Sequence, residues 1–204
     1  MRNHDVKKIE KLFLDSIKTK ESIVKDRLFT PLARMSEIAV EAITNKGKLM
    51  LCGNGGSAAD AQHLAAEMLI RLRPSYNREG IPAISLTQDT STITACGNDF
   101  GFDHLFERMV QSLGKEGDVL IAITTSGNSK NIILAMLAAK AMGIKVFAFL
   151  GSGGGEAINL SDEYFLVPGN DTGRIQESHI TGGHALMECI ENKLLECGYI
   201  HLED

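Results

Sequence analysis

Over residues 119–129 the chain reads Val-Leu-Ile-Ala-Ile-Thr-Thr-Ser-Gly-Asn-Ser, and much of the architecture follows from this passage. The consecutive apolar residues Val119–Ile123 are typical of a strand that is buried on both faces. Hydroxyl residues and a glycine come next, and an amphipathic helix is predicted over about 129–142. A buried strand, a short polar loop and a helix together form one unit of a parallel α/β sheet.

The same unit recurs on both sides of this passage. Because the apolar runs alternate with helical segments, we expect a five-stranded parallel sheet with helices on both faces. A chain of 204 residues is accounted for by one domain spanning 1–204. The other strands are predicted at Leu49–Cys52, Ala83–Leu86, Val146–Leu150 and Tyr164–Val167, and the other helices at about 57–72, 89–97, 102–113, 155–160 and 173–197.

Residues 1–45 precede the first predicted strand and have a helical pattern of apolar residues. Thr30-Pro31 predicts a break, with a second helix starting near Pro31. The α/β core of residues 46–204 does not need this N-terminal helical arm to complete its sheet. The arm is therefore expected either to pack against other subunits or to cover its own sheet.

Composition and charge exclude several classes of protein. A formal net charge of −5 without a dense block of Lys and Arg argues against general nucleic-acid binding, but leaves room for a small anionic ligand. No apolar run approaches the roughly 18 residues of a membrane span. Met1–Glu10 lacks the apolar segment of a signal peptide, and the four scattered cysteines form no Cys-x-x-Cys pair. We expect a cytoplasmic globular protein.

A first glycine-rich loop, Cys52–Ser57, lies between a predicted strand and its helix. Glycines allow backbone N–H groups to approach a ligand, and a helix N-terminus adds a partial positive charge. The loop is neither a dinucleotide fingerprint nor a Walker loop, which argues against a nucleotide. It is either a phosphate-binding loop or a tight turn in which Ser57 caps the helix.

The second loop, Thr124–Ser129, carries four hydroxyl side chains in six residues. One hydroxyl is enough to cap a helix, so capping explains Ser129 and leaves the other three unexplained. Hydroxyls beside the unpaired amides of a helix start favour an anion site. Because open α/β sheets bind ligands at the carboxyl ends of their strands, the two loops together predict a phosphorylated small molecule.

Two helices carry side chains suited to acid–base chemistry. His63 and Glu67 are four residues apart and share a helix face at a distance of about 6 Å, although a surface pair is the ordinary alternative. Gln176 and His184 lie about 80° apart around the C-terminal helix and about 12 Å apart along it, so they converge only on a point between them. His184 could equally be a core or capping histidine, and His179 is left outside the site.

These side chains fit an aldose–ketose isomerisation. Moving a carbonyl between neighbouring carbons requires a base for a carbon-bound proton and an acid for the oxygens, and a glutamate and a histidine can fill those roles. A Zn²⁺ ion held by imidazole and carboxylate could polarise the carbonyl and stabilise an enediolate, although glutamine is an unusual zinc ligand.

Five motifs follow one another along the chain: Gly53–His63, Leu86–Ser91, Gly97–Gly101, Thr125–Ser129, and Arg174–Glu177 followed by His184. With these motifs in this order, the chain resembles the SIS-domain phosphoheptose isomerases from its N-terminal helices almost to its end. The resemblance implies a flavodoxin-like doubly wound sheet. It also implies the interconversion of D-sedoheptulose 7-phosphate and a D-glycero-D-manno-heptose 7-phosphate, the first step toward activated heptose for bacterial surface polysaccharide.

The resemblance further implies roles for individual residues. Glu67 corresponds to the family's base and His184 to its partner acid/base. A homotetramer with active sites at subunit interfaces is implied as well, which would give the helical arm its purpose. The zinc positions are His63, Glu67, Gln176 and His184, and the substrate contacts are Asn54, Gly55, Gly56, Ser57, Glu67, Arg71, Asn98, Asp99, Thr124, Thr125, Ser126, Ser129 and Gln176.

Two positions depart from the family. Thr124 stands where serine is usual, which keeps the hydroxyl but adds a methyl group that could narrow the phosphate loop. Gly173 stands where some members carry Asp, so a contact from that side chain is absent. Neither change removes a predicted catalytic group.

Two alternatives stay open. A non-catalytic relative of the same fold binds the bacterial replication initiator, but such a scaffold has no need for Glu67 and His184. The other alternative is a phosphosugar sensor or an isomerase for another phosphosugar. Sensors of this fold normally carry a DNA-binding domain, for which residues 1–45 are too few and too mixed in charge. We hypothesise that loops 71–81 and 98–104 set the length of the sugar, and exchanging them without a change in substrate preference would disprove it.

Overall fold

A computed structural model describes residues 2–202, with side chains from residue 4 onward, so predictions that include Met1, Glu203 and Asp204 extend beyond the described residues. None of the helices in residues 2–202 is long and apolar enough to cross a membrane. The elements are α1 (Arg2–Lys25), α2 (Thr30–Thr44), β1 (Leu49–Gly53), α3 (Gly56–Leu69), β2 (Ala83–Ser85), α4 (Thr90–Asp99), α5 (Leu105–Leu113), β3 (Val119–Thr124), α6 (Lys130–Ala141), β4 (Lys145–Leu150), β5 (Glu163–Leu166) and α7 (Thr172–Glu196).

The sheet is wholly parallel, with the strand order β2-β1-β3-β4-β5. The central pair is in register from Leu49 opposite Val119 to Gly53 opposite Ile123. The chain winds from β1 toward one edge of the sheet and from β3 toward the other, so the loops after β1 and β3 flank the point where the winding reverses. The predicted α/β class and the five-stranded flavodoxin-like sheet are confirmed.

Side chains of the strands alternate between two apolar layers. Leu49 and Leu51 pack in the layer that α2, α3 and α7 cover, whereas Met50 and Cys52 pack in the layer of α4, α5 and α6. Every residue of β1 and β3 is buried, which is why continuous apolar runs identified these strands. Burial raises the pKa of the Cys52 thiol to about 12, so this cysteine is a packing residue rather than a nucleophile.

The predicted helices hold with two local differences. The helix predicted over 102–113 opens with a 3₁₀ turn, Phe102–His104, and the one predicted over 155–160 is only a 3₁₀ turn, Ala157–Leu160. Glycines 153–155 all have positive φ, which is incompatible with a helix starting at 155. The break near Pro31 is confirmed, because Arg27 adopts φ 54° between α1 and α2.

The two helices of the N-terminal arm differ in their surroundings. Helix α2 packs on α7 and β5 and buries Met35, so it covers the chain's own sheet. Helix α1 also touches α7, yet Val6, Ile9, Phe13 and Ile17 on it are each more than half exposed. Apolar side chains exposed at this density are typical of an interaction surface.

Candidate active site

The loop after β1 is held in place by the helix that follows β3. Gly55 is the N-cap of α3, and Ser57 is buried in the first turn of that helix without capping it. The alternative in which Ser57 caps the helix is therefore not realised. The Asn54 side chain exchanges two hydrogen bonds of 2.9 Å with Asn131, which is 3% exposed at the start of α6. Sequence analysis missed Asn131, because nothing local marks it as the partner of Asn54.

The loop after β3 keeps its hydroxyl groups available. Ser129 occupies the N-cap position of α6, but its side chain makes no capping hydrogen bond. Thr124 Oγ1 accepts from the Gly127 amide at 3.2 Å, and Ser126 Oγ accepts from the Asn128 amide at 3.2 Å. Because these hydroxyls accept from the backbone, their own O–H groups can still donate, either to an anion or, for Thr124, to Ser129 Oγ 3.4 Å away. The loop is thus preformed and rich in donors.

The glycine cluster Gly151–Gly155, to which the sequence assigned no role, packs against this second loop. A Cβ atom at Gly127 would lie 2.0 Å from the carbonyl oxygen of Gly154. The Ala157 amide donates to the Gly127 carbonyl at 2.9 Å, and the Glu156 amide donates to Asn128 Oδ1 at 3.0 Å. The loop after β4 therefore buttresses the loop after β3.

Helices α3 and α7 lie side by side and bring three predicted site residues together. His63 Nε2 is 2.8 Å from His184 Nε2 and 3.5 Å from Glu67 Oε1. Two ring nitrogens at this distance share a proton or a cation, since two N–H groups or two lone pairs would repel. Glu67 Oε2 is buried and has no hydrogen-bond partner within the described part of the chain, so it is free to engage a substrate or a cation.

Gln176 lies against the first turns of α3. A Cβ atom at Gly56 would lie 2.1 Å from Gln176 Nε2, so the two meet with no space between them. The Gln176 side chain also hydrogen-bonds Asp60, whose other oxygen is buried without a partner among the described residues. Burial raises the pKa of the Asp60 carboxyl, against the opposing effects of His63 and of the Gln176 hydrogen bond. Sequence analysis missed Asp60, although its place three residues before His63 puts both on one helix face.

Three predicted substrate contacts, and the departure from the family at Gly173, lie apart from this cluster. Asn98 and Asp99 end α4, are exposed, and bond each other at 2.7 Å. Arg71 follows α3 and is also exposed. Gly173 is exposed in the first turn of α7, where a Cβ atom would lie 3.2 Å from Asp171 Oδ1. Within residues 4–202 of a single chain, none of these side chains hydrogen-bonds to the histidine pair.

The proposed zinc ligands fit a metal by their chemistry. No three His, Cys, Asp or Glu side chains in residues 4–202 are arranged as a formed metal centre. The facing nitrogens of His63 and His184 and the unpartnered oxygen of Glu67 are nevertheless the donor types that zinc prefers. In this cluster a zinc ion would find two imidazole donors and a carboxylate donor together.

His179 lies outside this cluster, in the core. It is fully buried against Phe149 and Phe165, and its Nε2 is 3.0 Å from the Leu150 carbonyl oxygen. Burial lowers the pKa of His179 to about 4, so its ring is neutral at pH 7.

Comparison with known proteins agrees with the geometry. Residues 12–151 match the SIS domain family. The phosphoheptose isomerase of Clostridium acetobutylicum is 47% identical over 187 residues, which cover 91% of this chain and 94% of that protein. The structure of the phosphoheptose isomerase from Neisseria gonorrhoeae has 42% identity and a TM-score of 0.85, covering 91% of this chain and 98% of that one. That of Francisella tularensis has 37% identity and a TM-score of 0.87, covering 92% and 98%. The chain therefore belongs to the SIS-domain family and, within it, to the phosphoheptose isomerases.

Proposed function

We propose that this protein is an isomerase that interconverts D-sedoheptulose 7-phosphate and D-glycero-D-manno-heptose 7-phosphate, the first step toward activated heptose. The observation that carries the proposal is the unpartnered carboxylate oxygen of Glu67 beside the His63–His184 pair, on the helix that follows the glycine-rich loop after β1. Leaving a buried carboxylate oxygen unpaired is costly, and a protein-binding scaffold would have no reason to retain it. The names of the similar proteins support the same substrate.

Substrate binding follows from the two loops. The phosphate is bound by the loop after β3, where the hydroxyls of Thr124, Thr125, Ser126 and Ser129 join the amides at the start of α6. The sugar then extends toward Asn54 and Gln176, whose amides can donate to and accept from hydroxyl groups. This places the carbonyl end of the sugar between α3 and α7, beside the carboxylate and the imidazoles.

The proton transfers use Glu67 and His184. Starting from the ketose, the Glu67 carboxylate removes a proton from C1 while His184 protonates the oxygen on C2, which gives the enediol. Glu67 then returns its proton to C2 while His184 takes the proton from the oxygen on C1, which completes the aldose. Each proton that leaves the sugar is returned to it, so the reaction needs no oxidant or reductant.

Zinc is the proposed cofactor, with one ion per subunit held by His63, Glu67, Gln176 and His184. When bound, it would polarise the carbonyl oxygen and stabilise negative charge on the enediolate. The chain's own residues orient the sugar and move the protons. The imidazoles of His63 and His184 and the carboxylate of Glu67 support this assignment, because they are donor types that zinc prefers.

We further propose that the enzyme works as a homotetramer in the cytoplasm. The uncovered apolar face of α1 supports an assembled state. Exposed Arg71, Asn98 and Asp99, which do not reach the histidine pair within one chain, are then placed to serve an active site at a subunit interface.

The test is turnover of sedoheptulose 7-phosphate by the purified full chain, followed as aldose formation. We expect activity in the wild type and its loss in Glu67→Gln and His184→Gln, with folding and assembly retained. Glu41→Gln and His4→Gln, which replace exposed side chains of the same types, are matched controls. Absence of wild-type turnover across a zinc titration would refute the isomerase, and a binding scaffold or another phosphosugar would take its place.

A further inference from the structure

A fully buried ion pair lies about two helical turns beyond His184 along α7 and takes no part in the proposed chemistry. Arg78, in the loop between α3 and β2, donates from Nε to Glu191 Oε1 on α7 at 2.5 Å, and both side chains are 0% exposed. Removing two charges from water costs several kcal/mol per ion, and an apolar pair would often stabilise a fold as well. A stabilising effect alone therefore does not explain why this pair is buried. The other contacts of Arg78 and Glu191 indicate its role.

The remaining donors of Arg78 reach the helix that carries the catalytic base. Its Nη2 donates to the backbone carbonyl of Glu67 at 3.0 Å, and its Nη1 donates to that of Met68 at 3.0 Å. These carbonyls belong to the last turn of α3, where the helix itself supplies few partners. Arg78 thus caps α3 through the residue whose carboxylate takes the proton.

The other half of the pair belongs to the helix that carries the second catalytic group. Glu191 follows His184 on α7 by seven residues, which is about two helical turns. Its second oxygen accepts from Arg73 Nε at 2.7 Å, so arginines hold both carboxylate oxygens. The ion pair therefore ties the backbone of Glu67 to α7 at a fixed level relative to His184.

The C-terminal segment closes over this connection. Arg78 forms an antiparallel bridge with Leu202, and the His201 amide donates to Glu79 Oε2 at 2.7 Å. Both contacts fix the loop that presents the Arg78 guanidinium to α3. Residues 201–202 are exposed, but they are paired with this loop rather than free.

We infer that Arg78 and Glu191 are positioning residues, which set the distance and angle between the Glu67 carboxylate and the His184 imidazole. The inference rests on the proposed roles of Glu67 and His184. Neither Arg78 nor Glu191 touches the substrate. A guanidinium is needed because its planar fork reaches one carboxylate and two carbonyls at once, which neither a lysine nor an apolar side chain can do.

The test uses Arg78→Lys and Glu191→Gln, with Asp118→Asn as the matched control. Asp118 is also 0% exposed and pairs with Lys48 at 2.5 Å, but it precedes β3, at the end of the sheet opposite the active site. In Arg78→Lys and Glu191→Gln we expect kcat, per folded molecule, to fall about tenfold to hundredfold. KM should change less than about threefold, because the phosphate loops are untouched. Amide hydrogen exchange in the last turn of α3 should also become faster. Asp118→Asn should lower Tm and leave kcat unchanged.

Two results would overturn the inference, and they are distinguishable. If the Arg78 and Glu191 variants lose Tm and keep wild-type kcat, as Asp118→Asn does, the pair is only structural. If Glu67→Gln retains turnover, the assignment of the base fails and the positioning role fails with it. If Glu191→Gln does not fold, Arg78→Lys supplies the test, because it keeps the buried positive charge.

Discussion

The side-chain amides of Asn54 and Asn131 form a closed pair of two 2.9 Å hydrogen bonds, and this pair joins the loop after β1 to the helix after β3. Asn131→Ala leaves the Asn54 amide without its partner and loosens one ligand loop relative to the other. We expect KM to rise about tenfold and the free energy of unfolding to fall by about 1–3 kcal/mol. Steady-state kinetics and urea denaturation measure both. Asn159→Ala, at an exposed site, is the control, and an unchanged KM in Asn131→Ala would show that the loops are not coupled.

Gly56→Ala tests the contact between α3 and Gln176. The new methyl group would lie 2.1 Å from Gln176 Nε2, so the flexible glutamine side chain must swing out of the site. We expect kcat/KM to fall about tenfold or more while stability changes by less than about 1 kcal/mol. Because both changes displace the same group, Gly56→Ala combined with Gln176→Ala should be no less active than Gln176→Ala alone. Additive losses in the double variant would contradict this.

Metal binding can be measured without catalysis. After treatment with a chelator, calorimetric titration with ZnCl₂ should show one site per subunit, and His63→Ala should weaken binding by about a hundredfold or more. Affinity should fall as the pH is lowered, because imidazoles must lose a proton to bind metal. His4→Ala serves as the control on an exposed histidine. Equal zinc affinity in His63→Ala and the wild type would place the metal elsewhere.

His179 predicts a pH dependence of stability. Its pKa is about 4 in the folded protein and about 6.5 in the unfolded chain, so the unfolded chain binds the proton more readily. The stabilising contribution is complete above about pH 6.5 and is lost as pH falls toward 4, a change of about 3 kcal/mol. Urea denaturation at pH 7 and pH 5 should show a smaller difference in His179→Asn than in the wild type. His4→Asn should retain the wild-type difference. The same loss of stability between pH 7 and pH 5 in all three proteins would refute the prediction.

The exposed face of α1 predicts the state of assembly. Phe13 is 71% exposed in the single chain, and Phe13→Glu places a charge on the face that we propose other subunits cover. We expect smaller assemblies in analytical ultracentrifugation, together with reduced turnover if residues of a neighbouring subunit complete the site. Lys8→Glu changes charge on the same helix at an exposed polar position and should leave assembly intact. A wild-type protein that sediments as a monomer would disprove the tetramer.

The sheet could be predicted from sequence because its strands are buried on both faces. Most strands are therefore continuous apolar runs, and glycine and polar residues mark the loops that bound them. The strand at Val119–Thr124 was predicted one residue shorter than it is, since Thr124 is polar yet 4% exposed. The helix predicted over 155–160 is only a 3₁₀ turn, because Gly153, Gly154 and Gly155 have positive φ. In both places the residue types favour one local structure, and the packing of the folded chain imposes another.

The site was only partly predictable. Spacing placed His63 and Glu67 on one helix face, but the resemblance, not the spacing, paired them with His184. Asp60 and Asn131 escaped notice because their partners are 116 and 77 residues away in sequence, being Gln176 and Asn54. Contacts of this kind depend on how elements pack and leave no periodic pattern in the chain.

The backbone contact between Gly127 and Gly154 limits how this protein can evolve. A side chain at Gly127 would require the loop after β4 to move, because a Cβ atom there would overlap the Gly154 carbonyl. Gly154 itself has φ 88°, and a Cβ atom there would lie 2.9 Å from the Ile158 side chain. In a library of single substitutions both positions should tolerate glycine alone, and substitutions at residue 127 should become viable only with a shortened or rerouted loop after β4. Gly127 and Gly154 are 27 residues apart in sequence, yet the two loops that contain them are expected to change together during evolution.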